Sequence, residues 1–150
     1  TFEDVSQRAG PSFQLREVSR GAVFGDIDND GDTDILIANN MGPARVLLNR
    51  VGNRSHWLGL DLRGAKVDRE MLGARVEVAR GQAPPLWRRL RSDGSFCSAN
   101  DPRVLVGLGG NTAVKAVRVS WPSGLEEIWD SVPVDRYTTL REGTGKKPKG

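Results

Sequence analysis

The sequence predicts an all-β protein, an antiparallel β-sandwich or barrel that follows a smaller β unit. The first observation behind this prediction is a series of about nine short apolar segments, spaced roughly eight to twelve residues apart. The second is that glycine and proline, 18 and 8 of the 150 residues, separate these segments and favour turns between short strands. The third is that no segment has the pattern of a capped amphipathic helix.

The first predicted strands lie on either side of an acidic loop. Residues 22–24 (Ala-Val-Phe) form a short apolar stretch before the loop, and residues 35–38 (Ile-Leu-Ile-Ala) form another after it. Because the second stretch contains β-branched residues, it predicts a buried strand. A further strand is predicted from Arg45 to Asn49, so residues 1–49 are expected to form one four-stranded unit, or most of one.

The second predicted domain covers residues 50–143. Residues 56–62 alternate with period two, which places Trp57 on the strand face opposite three leucines. Residues 73–80 also alternate and predict a half-buried antiparallel strand, whose partner is expected at residues 86–91 with its basic side chains toward water. Further strands are predicted near residues 104–109, 114–119, 126–129 and 137–140.

The last segment, residues 144–150, is predicted to be a disordered basic tail. It holds Lys146, Lys147 and Lys149 together with Pro148 and glycines, and it has no apolar residue that could anchor it. At the other end, the chain begins at Thr1 without a methionine or an apolar leader. This start indicates a mature product or a fragment of a longer protein.

The acidic loop is the feature most informative about function. Residues 26–34 read Asp-Ile-Asp-Asn-Asp-Gly-Asp-Thr-Asp, with a carboxylate at every second position. Like charges about 5 Å apart repel each other by about 3 kcal/mol at an effective dielectric of ~20, so the run is unfavourable without a cation. Calcium takes 6–8 oxygen ligands from flexible loops and would remove this repulsion. The sequence therefore predicts Ca²⁺ as the cofactor.

The spacing of the loop resembles the first half of a helix–loop–helix calcium site. Gly31 occupies the sixth place, where the chain turns sharply, but the twelfth place holds Ile37 instead of a bidentate glutamate. The loop is therefore expected to close at the ninth place, between two strands. The predicted metal ligands are the side chains of four aspartates and the backbone carbonyl of a fifth: Asp26, Asp28, Asp30 and Asp34, and Asp32.

Other interpretations of the loop fit less well. An ordinary solvated turn needs neither strict alternation nor a glycine at the sixth place. Magnesium demands tighter octahedral geometry and keeps its waters. Zinc prefers His and Cys ligands, and neither residue lies near the loop.

Composition excludes several classes of function. Net charge is +3, and Lys and Arg residues are scattered along strands without an aromatic-interleaved basic motif, so we expect no nucleic-acid partner. No stretch of 18 apolar residues is present, so we predict no membrane span. The four tryptophans are expected to be packing anchors.

The residues available for catalysis are few, and we expect no enzymatic activity. Cys97 is expected to be a small buried residue beside Phe96, and His56 is expected to be a structural histidine. No serine has a nucleophile-elbow pattern around it. A calcium-dependent hydrolase stays open, because Ca²⁺ can polarise a substrate oxygen, but the sequence supplies no partner base.

Two family resemblances follow from these motifs. Phe24-Gly25 and the aspartate loop after it resemble the FG-GAP, or VCBS-like, calcium repeat of integrin-type β-propellers. The second region resembles the ASPIC/UnbV domain of the cartilage acidic protein family. The marks of this domain are residues 53–58 (Asn-Arg-Ser-His-Trp-Leu), 72–76 (Leu-Gly-Ala-Arg-Val), 94–96 (Gly-Ser-Phe), 106–109 (Val-Gly-Leu-Gly) and 121–124 (Trp-Pro-Ser-Gly).

The resemblance implies an extracellular or periplasmic, calcium-stabilised binding module with a protein or glycan partner. It also implies a propeller-blade-like unit at residues 1–49. A lone blade cannot bury both faces, so we expect either the C-terminal part of a longer propeller protein or a unit packed onto the second domain. Two alternatives remain: an accessory protein of a biosynthetic cluster that binds a small hydrophobic product, and a structural subunit of a larger assembly.

Overall fold

The structure is a computed structural model, and it describes residues 1–148. It contains ten strands and two short 3-10 helices, at Pro11–Gln14 and Gly52–Arg54. The strands are β1 (Ser19–Gly25), β2 (Asp34–Asn39), β3 (Arg45–Leu47), β4 (His56–Arg63), β5 (Arg75–Arg80), β6 (Ala83–Arg89), β7 (Val104–Gly109), β8 (Ala116–Ser120), β9 (Glu126–Asp130) and β10 (Tyr137–Arg141). The predicted all-β class is confirmed. No helix among the described residues is long and apolar enough to cross a membrane.

The N-terminal unit is a sheet of three strands in the order β1-β2-β3, where the sequence predicted four or most of four. Both strand pairs are antiparallel. The strand predicted to be buried, β2, is only half-buried along residues 35–37. The reason is that no second apolar layer covers this sheet: every apolar residue of the described core lies in the second region.

The second region is a two-sheet sandwich. One sheet has the order β6-β5-β8-β9 and is antiparallel throughout. The other has the order β10-β4-β7, in which β4 is antiparallel to β7 but parallel to β10. The parallel pair departs from the predicted antiparallel arrangement. Hairpin neighbours must be antiparallel, whereas β10 follows β9 of the opposite sheet and is free to enter in either direction.

The core lies between these two sheets. Alternate residues on β4 point inward, as predicted, and pack against alternate valines of β5 and β8. The fully or nearly buried members are Leu58, Leu60, Leu62, Ala74, Val76, Val78, Leu90, Val104, Val106, Leu108, Val114, Val117, Val119, Trp121, Val132 and Leu140. Burial of this apolar surface is the main stabilising contribution in the second region.

The segment after β10 differs from the predicted disordered tail. Glu127 is buried, and its two carboxylate oxygens accept hydrogen bonds from the backbone N–H groups of Gly143 and Gly145. Lys146 then pairs with Ile128 through two backbone hydrogen bonds. The prediction is thus corrected for residues 144–146, because a buried carboxylate needs donors that this segment supplies. Lys149 lies outside the described residues.

The prediction for Cys97 is wrong, because its side chain is exposed. Phe96 is also exposed, with 76% of its surface accessible. Both residues lie in the loop between β6 and β7, where Cys97 has a positive φ of 50°. A short apolar pair in a loop has no sheet face to cover it, so it could not be buried as a strand residue would be.

Candidate metal centre

The acidic loop, residues 26–34, joins β1 to β2, and its last residue, Asp34, is the first residue of β2. The antiparallel register of the two strands places Gly25 opposite Asp34, so the first and last aspartates of the loop come together at the same end of the hairpin. Asn29 and Gly31 have positive φ values of 62° and 95°. Both conformations are well suited to these two residue types, which explains how so short a loop can turn back.

Three carboxylates converge in this loop. Asp26, Asp28 and Asp34 each offer an oxygen atom, and these atoms all lie within 4.8 Å of one another. Asp34 is completely buried and Asp26 is 2% exposed. Asp28 is exposed, so the cluster is open to solvent on one side. The cluster is therefore buried on the side of Asp26 and Asp34 and open on the side of Asp28, where a cation can enter.

Backbone hydrogen bonds hold the two buried carboxylates. Asp26 accepts from the N–H of Asp30 through Oδ1 and from that of Gly31 through Oδ2, both at 3.0 Å. Asp34 accepts from Ile27 at 2.9 Å through Oδ2 and from Asn49 at 2.8 Å through Oδ1. Three of these donors belong to the loop itself and the fourth, Asn49, follows β3, so the carboxylates are already oriented and need little rearrangement to bind an ion.

The other two aspartates of the loop lie toward Asn53. Asp30 accepts a 2.5 Å hydrogen bond from the Asn53 side chain through Oδ2. Asp32 accepts a 3.2 Å bond from the Asn53 backbone N–H through Oδ2, and its Oδ1 is buried without a hydrogen-bond partner among the described residues. The structure thus brings together three of the four predicted side-chain ligands, and Asp30 lies outside that group.

Electrostatics within the loop favour a cation. Desolvation, and then the charges of Asp30 and Asp34, raise the pKa of Asp28 above its ordinary value, although the residue is exposed. Desolvation and the same two neighbours also raise the pKa of Asp32, which is 4% exposed. Both shifts mean that the charged carboxylates are held at a cost. An all-oxygen donor set with unbalanced negative charge fits a hard divalent cation such as Ca²⁺.

Two side chains of the sandwich contact the first aspartate of the loop. The hydroxyl of Tyr137 donates to Asp26 Oδ2 at 2.9 Å. Arg103 donates to the backbone carbonyl of Asp26 at 2.7 Å and to Asn29 Oδ1 at 2.6 Å. The guanidinium of Arg103 also lies 4.0 Å from the centre of the Tyr137 ring. Desolvation and the hydrogen bond to Asp26 raise the pKa of Tyr137 far above its ordinary value, which keeps its hydroxyl protonated as a donor.

Arg103 is itself held in place by Asp101. Its Nη2 lies 2.6 Å from Asp101 Oδ2, and its Nε donates to the same carboxylate. The hydrogen bond to Asp101 raises the pKa of Arg103 above its ordinary value, so the guanidinium stays charged. The backbone N–H of Asp101 in turn donates to the carbonyl of Phe24 on β1. The contacts of Asp101, Arg103 and Tyr137 with the N-terminal unit, which we call the seam, join the sandwich to the N-terminal sheet.

Trp57 completes the seam on the outer face of β4. Its side chain points away from the sandwich core, as predicted, yet it is only 7% exposed. The acidic loop covers it: a Cβ atom added to Gly31 would lie 2.1 Å from the indole ring. Trp57 also makes an edge-on contact with Tyr137, with 5.3 Å between ring centres. The absence of a side chain at Gly31 therefore allows the loop to lie flat on the tryptophan.

The structure confirms the predicted packing role for some of the other tryptophans, and it gives His56 a polar partner. Trp121 is buried and Trp129 packs against the core, but Trp87 is 56% exposed. The Nδ1 of His56 donates a 2.7 Å hydrogen bond to Asp135 Oδ2, so the partner of His56 is a carboxylate and not Cys97. This bond lowers the pKa of Asp135, with a second contribution from the backbone N–H of Trp57. The pair links the start of β4 to the loop before β10.

The residues that sequence reasoning missed are Asn53, Arg103 and Tyr137. Asn53 lies in one of the quoted motifs and next to the strand that contains Trp57, so its polarity was a usable signal. Arg103 and Tyr137 are separated from Asp26 by 77 and 111 positions. No local pattern marks contacts over such distances.

The second region matches a known protein family. A family model described as "ASPIC and UnbV" matches residues 64–147, which begin directly after β4 and include β5 to β10. The matched range is more than half of the chain, and it does not include the acidic loop. No curated protein matches the chain.

Proposed function

This chain belongs to the ASPIC and UnbV family, and we propose that it is a calcium-binding, non-enzymatic interaction module. The observation that carries the proposal is the convergence of Asp26, Asp28 and Asp34 at one end of the β1–β2 hairpin. These side chains would hold the ion, with Asp30 as a further carboxylate ligand and Asp32 contributing its backbone carbonyl. When bound, the ion supplies the positive charge that the loop lacks.

Bound calcium would brace the junction between the two β regions. Asp26 is both a proposed ligand and the acceptor for Tyr137 and Arg103 of the sandwich. Fixing Asp26 therefore also fixes the loop face that lies on Trp57. The N-terminal sheet contributes nothing to the described core, so this polar junction is its main attachment to the sandwich.

We further assign the loop to the FG-GAP or VCBS type, as part of a longer extracellular or periplasmic β-propeller protein. Two features support this assignment: the loop spacing, and the exposure of large apolar residues on and beside the N-terminal sheet. Phe24, Val46 and Leu48 are 44%, 52% and 43% exposed. Strand faces of this kind in repeat proteins are covered by neighbouring repeats.

A role in binding a small hydrophobic product receives less support. That role requires an apolar pocket between the two β regions, lined by tryptophan and phenylalanine. Two pockets lie at this junction. One, of about 220 Å³, is lined mainly by arginines and aspartates, and Phe24 is the only phenylalanine or tryptophan in its lining. The other, of about 520 Å³, has neither tryptophan nor phenylalanine in its lining. The charged lining fits an interaction module better than a site for an apolar compound.

Calcium titration of the full chain tests the proposed function. We expect a single binding event by calorimetry, and chelator should lower the unfolding free energy of the saturated protein. The loss is about 2.7 kcal/mol when free calcium is a hundredfold above Kd. Asp28→Ala should abolish both effects without harming the fold, because Asp28 is exposed and alanine lacks the oxygen that it would offer the ion.

Glu126→Ala is the matched control, since it removes an exposed carboxylate from β9 in the sandwich. It should keep the full response to calcium. A parent chain that shows no heat of binding and melts identically with and without chelator would refute the calcium module.

A further inference from the structure

The edge of the larger sheet carries a concentrated positive charge. Among the described residues, β6 pairs only with β5. Arg88 and Arg89 end the strand, and Arg91 lies two residues beyond it. All three side chains are exposed, whereas Leu90 between them is 1% exposed and packs in the core. The buried leucine anchors the segment to the core, so the end of β6 and the residues just after it are held in place.

These arginines form few close ion pairs within the protein. The nearby Glu77, opposite Trp87 on β5, lies 3.9 Å from Arg118 instead. Arg75 on β5 lies directly opposite Arg89 in the antiparallel register. Like charges at such positions destabilise a sheet. Among the described residues, neither arginine has an acidic group within 4.0 Å, and Arg91 has only a 3.7 Å contact with Asp93, which is mostly exposed. By contrast, Arg45 and Arg141 each form ion pairs shorter than 3 Å.

The arginines line one side of the 220 Å³ pocket at the seam. The two carboxylates that also line it are engaged elsewhere. Asp101 is paired with Arg103 at 2.6 Å, and Asp26 accepts hydrogen bonds from Tyr137 and the loop backbone. An anionic group entering the pocket would therefore meet the unpaired arginines. Guanidinium groups bind carboxylates and sulfates through paired, charge-assisted hydrogen bonds.

An exposed aromatic residue extends this surface along the strand. Trp87 lies two positions before Arg89, so both side chains project from the same face of β6, about 7 Å apart. The indole ring is 56% exposed, which leaves an apolar face available for stacking. A repeating chain of rings with acidic substituents would match both the aromatic residue and the arginines next to it.

We propose that an acidic polysaccharide binds along the edge of β6. It would contact Arg75, Trp87 and Arg89 on the outer face of the sheet, Arg88 on the other face of the strand and Arg91 just beyond its end. The proposal rests on the proposed function and names the partner class of the interaction module. Nucleic acid fits less well, because strand binding uses a row of stacking aromatics and this surface has one. An acidic peptide that adds to the edge as a strand also fits less well, because Pro84 and Pro85 supply no N–H groups there.

Binding of a heparin octasaccharide to the full chain tests this proposal. We expect binding that weakens with salt, and no binding of a dextran oligosaccharide of equal length. The triple variant R88Q/R89Q/R91Q should lose at least about tenfold in affinity, and the slope of log K against log salt should fall by about two to three. Trp87→Ala should weaken binding severalfold without changing that slope, because it removes stacking and no charge.

The matched control is K66Q/R69Q/K115Q, which removes three exposed positive charges outside the pocket lining. It should lower the affinity less than about threefold. Equal losses in the two triple variants would show diffuse attraction and overturn the proposal. So would the absence of heparin binding, or equally tight binding of single-stranded DNA or polyglutamate of matched charge.

Calcium titration of the same samples separates this proposal from the proposed function. If the chain binds heparin but not calcium, the polysaccharide surface stands and the calcium module fails. If it binds calcium but not heparin, the calcium module stands and the polysaccharide surface fails.

Discussion

The two β regions of this protein are built on opposite principles. The sandwich places sixteen apolar residues in a shared core between two sheets. The N-terminal sheet buries four residues, of which three are the aspartates Asp26, Asp32 and Asp34 and the fourth is Gly31. One region is stable because it removes hydrocarbon from water, whereas the other buries negative charge against a neighbouring surface.

This difference shows how a sheet without a core can still have a defined structure. Backbone N–H groups hold the buried carboxylates of Asp26 and Asp34. The loop rests on Trp57, Tyr137 and Arg103 of the sandwich. The sandwich therefore acts as the scaffold, and the N-terminal sheet depends on it. Stability of the second region should depend on packing, and that of the first should depend on the cation and on the seam.

The largest expected effect comes from a cavity in the sandwich core. Leu60→Ala removes a completely buried side chain of β4 and should lower the free energy of unfolding by about 2–5 kcal/mol, because neighbouring side chains fill such a cavity only in part. Ile37→Ala on β2, where the residue is half-buried, should cost less than about 1.5 kcal/mol. Urea unfolding of both variants measures the difference. Equal losses would mean that the N-terminal sheet has a core of comparable weight.

A smaller effect is expected where the loop meets the sandwich. Gly31→Ala adds a methyl group that collides with the Trp57 ring, in a backbone conformation with φ of 95°. We expect a loss of about 2–4 kcal/mol from strain and displaced packing, together with weaker calcium binding. Urea unfolding and calorimetric titration provide the two readouts.

Gly124→Ala separates the collision from the backbone strain. Gly124 has a similar φ of 89°, but a Cβ there would meet nothing within 4 Å. Its replacement should cost about 1–2 kcal/mol and leave calcium affinity unchanged. If the two variants behaved alike, the contact between the loop and Trp57 would carry no weight.

The smallest expected effect is on acid stability. The pKa of Asp135 is lowered in the folded protein by hydrogen bonds from His56 and from the Trp57 backbone N–H. Its stabilising contribution is therefore complete above the unfolded pKa of about 3.9 and is lost as pH falls through the lower folded value. Asp135→Asn should remove this part of the acid dependence. The backbone should tolerate it, because asparagine suits the φ of 58° at this position.

Chemical denaturation between pH 2 and 7 tests this prediction for the parent and the variant. The two stability profiles should converge at the acid end and separate toward neutral pH. A constant offset across the whole range would assign the effect of the substitution to packing and not to the charge of Asp135.

Local patterns anticipated much of the molecule. Period-two alternation around Leu58 and Val76 predicted their strands and the inward faces of those strands. The same reasoning failed at Cys97, at residues 144–146 and at the parallel pairing of β10. In each case the outcome depends on residues far away in the sequence. No sheet face covers Cys97, the buried Glu127 binds the segment after β10, and β10 enters its sheet from the opposite one.

The acidic loop shows the same division at the level of a site. Alternating aspartates around a glycine are a local feature, and hairpin register alone brings Asp26 next to Asp34. The docking of that loop on Trp57, with donors from Arg103 and Tyr137, arises from contacts over tens of residues along the chain. The sequence by itself determines local spacing, because strand alternation and loop geometry depend on neighbouring residues. Which surfaces pack together is decided only in the tertiary structure, because the whole chain must bury as much apolar area and as few unpaired charges as possible.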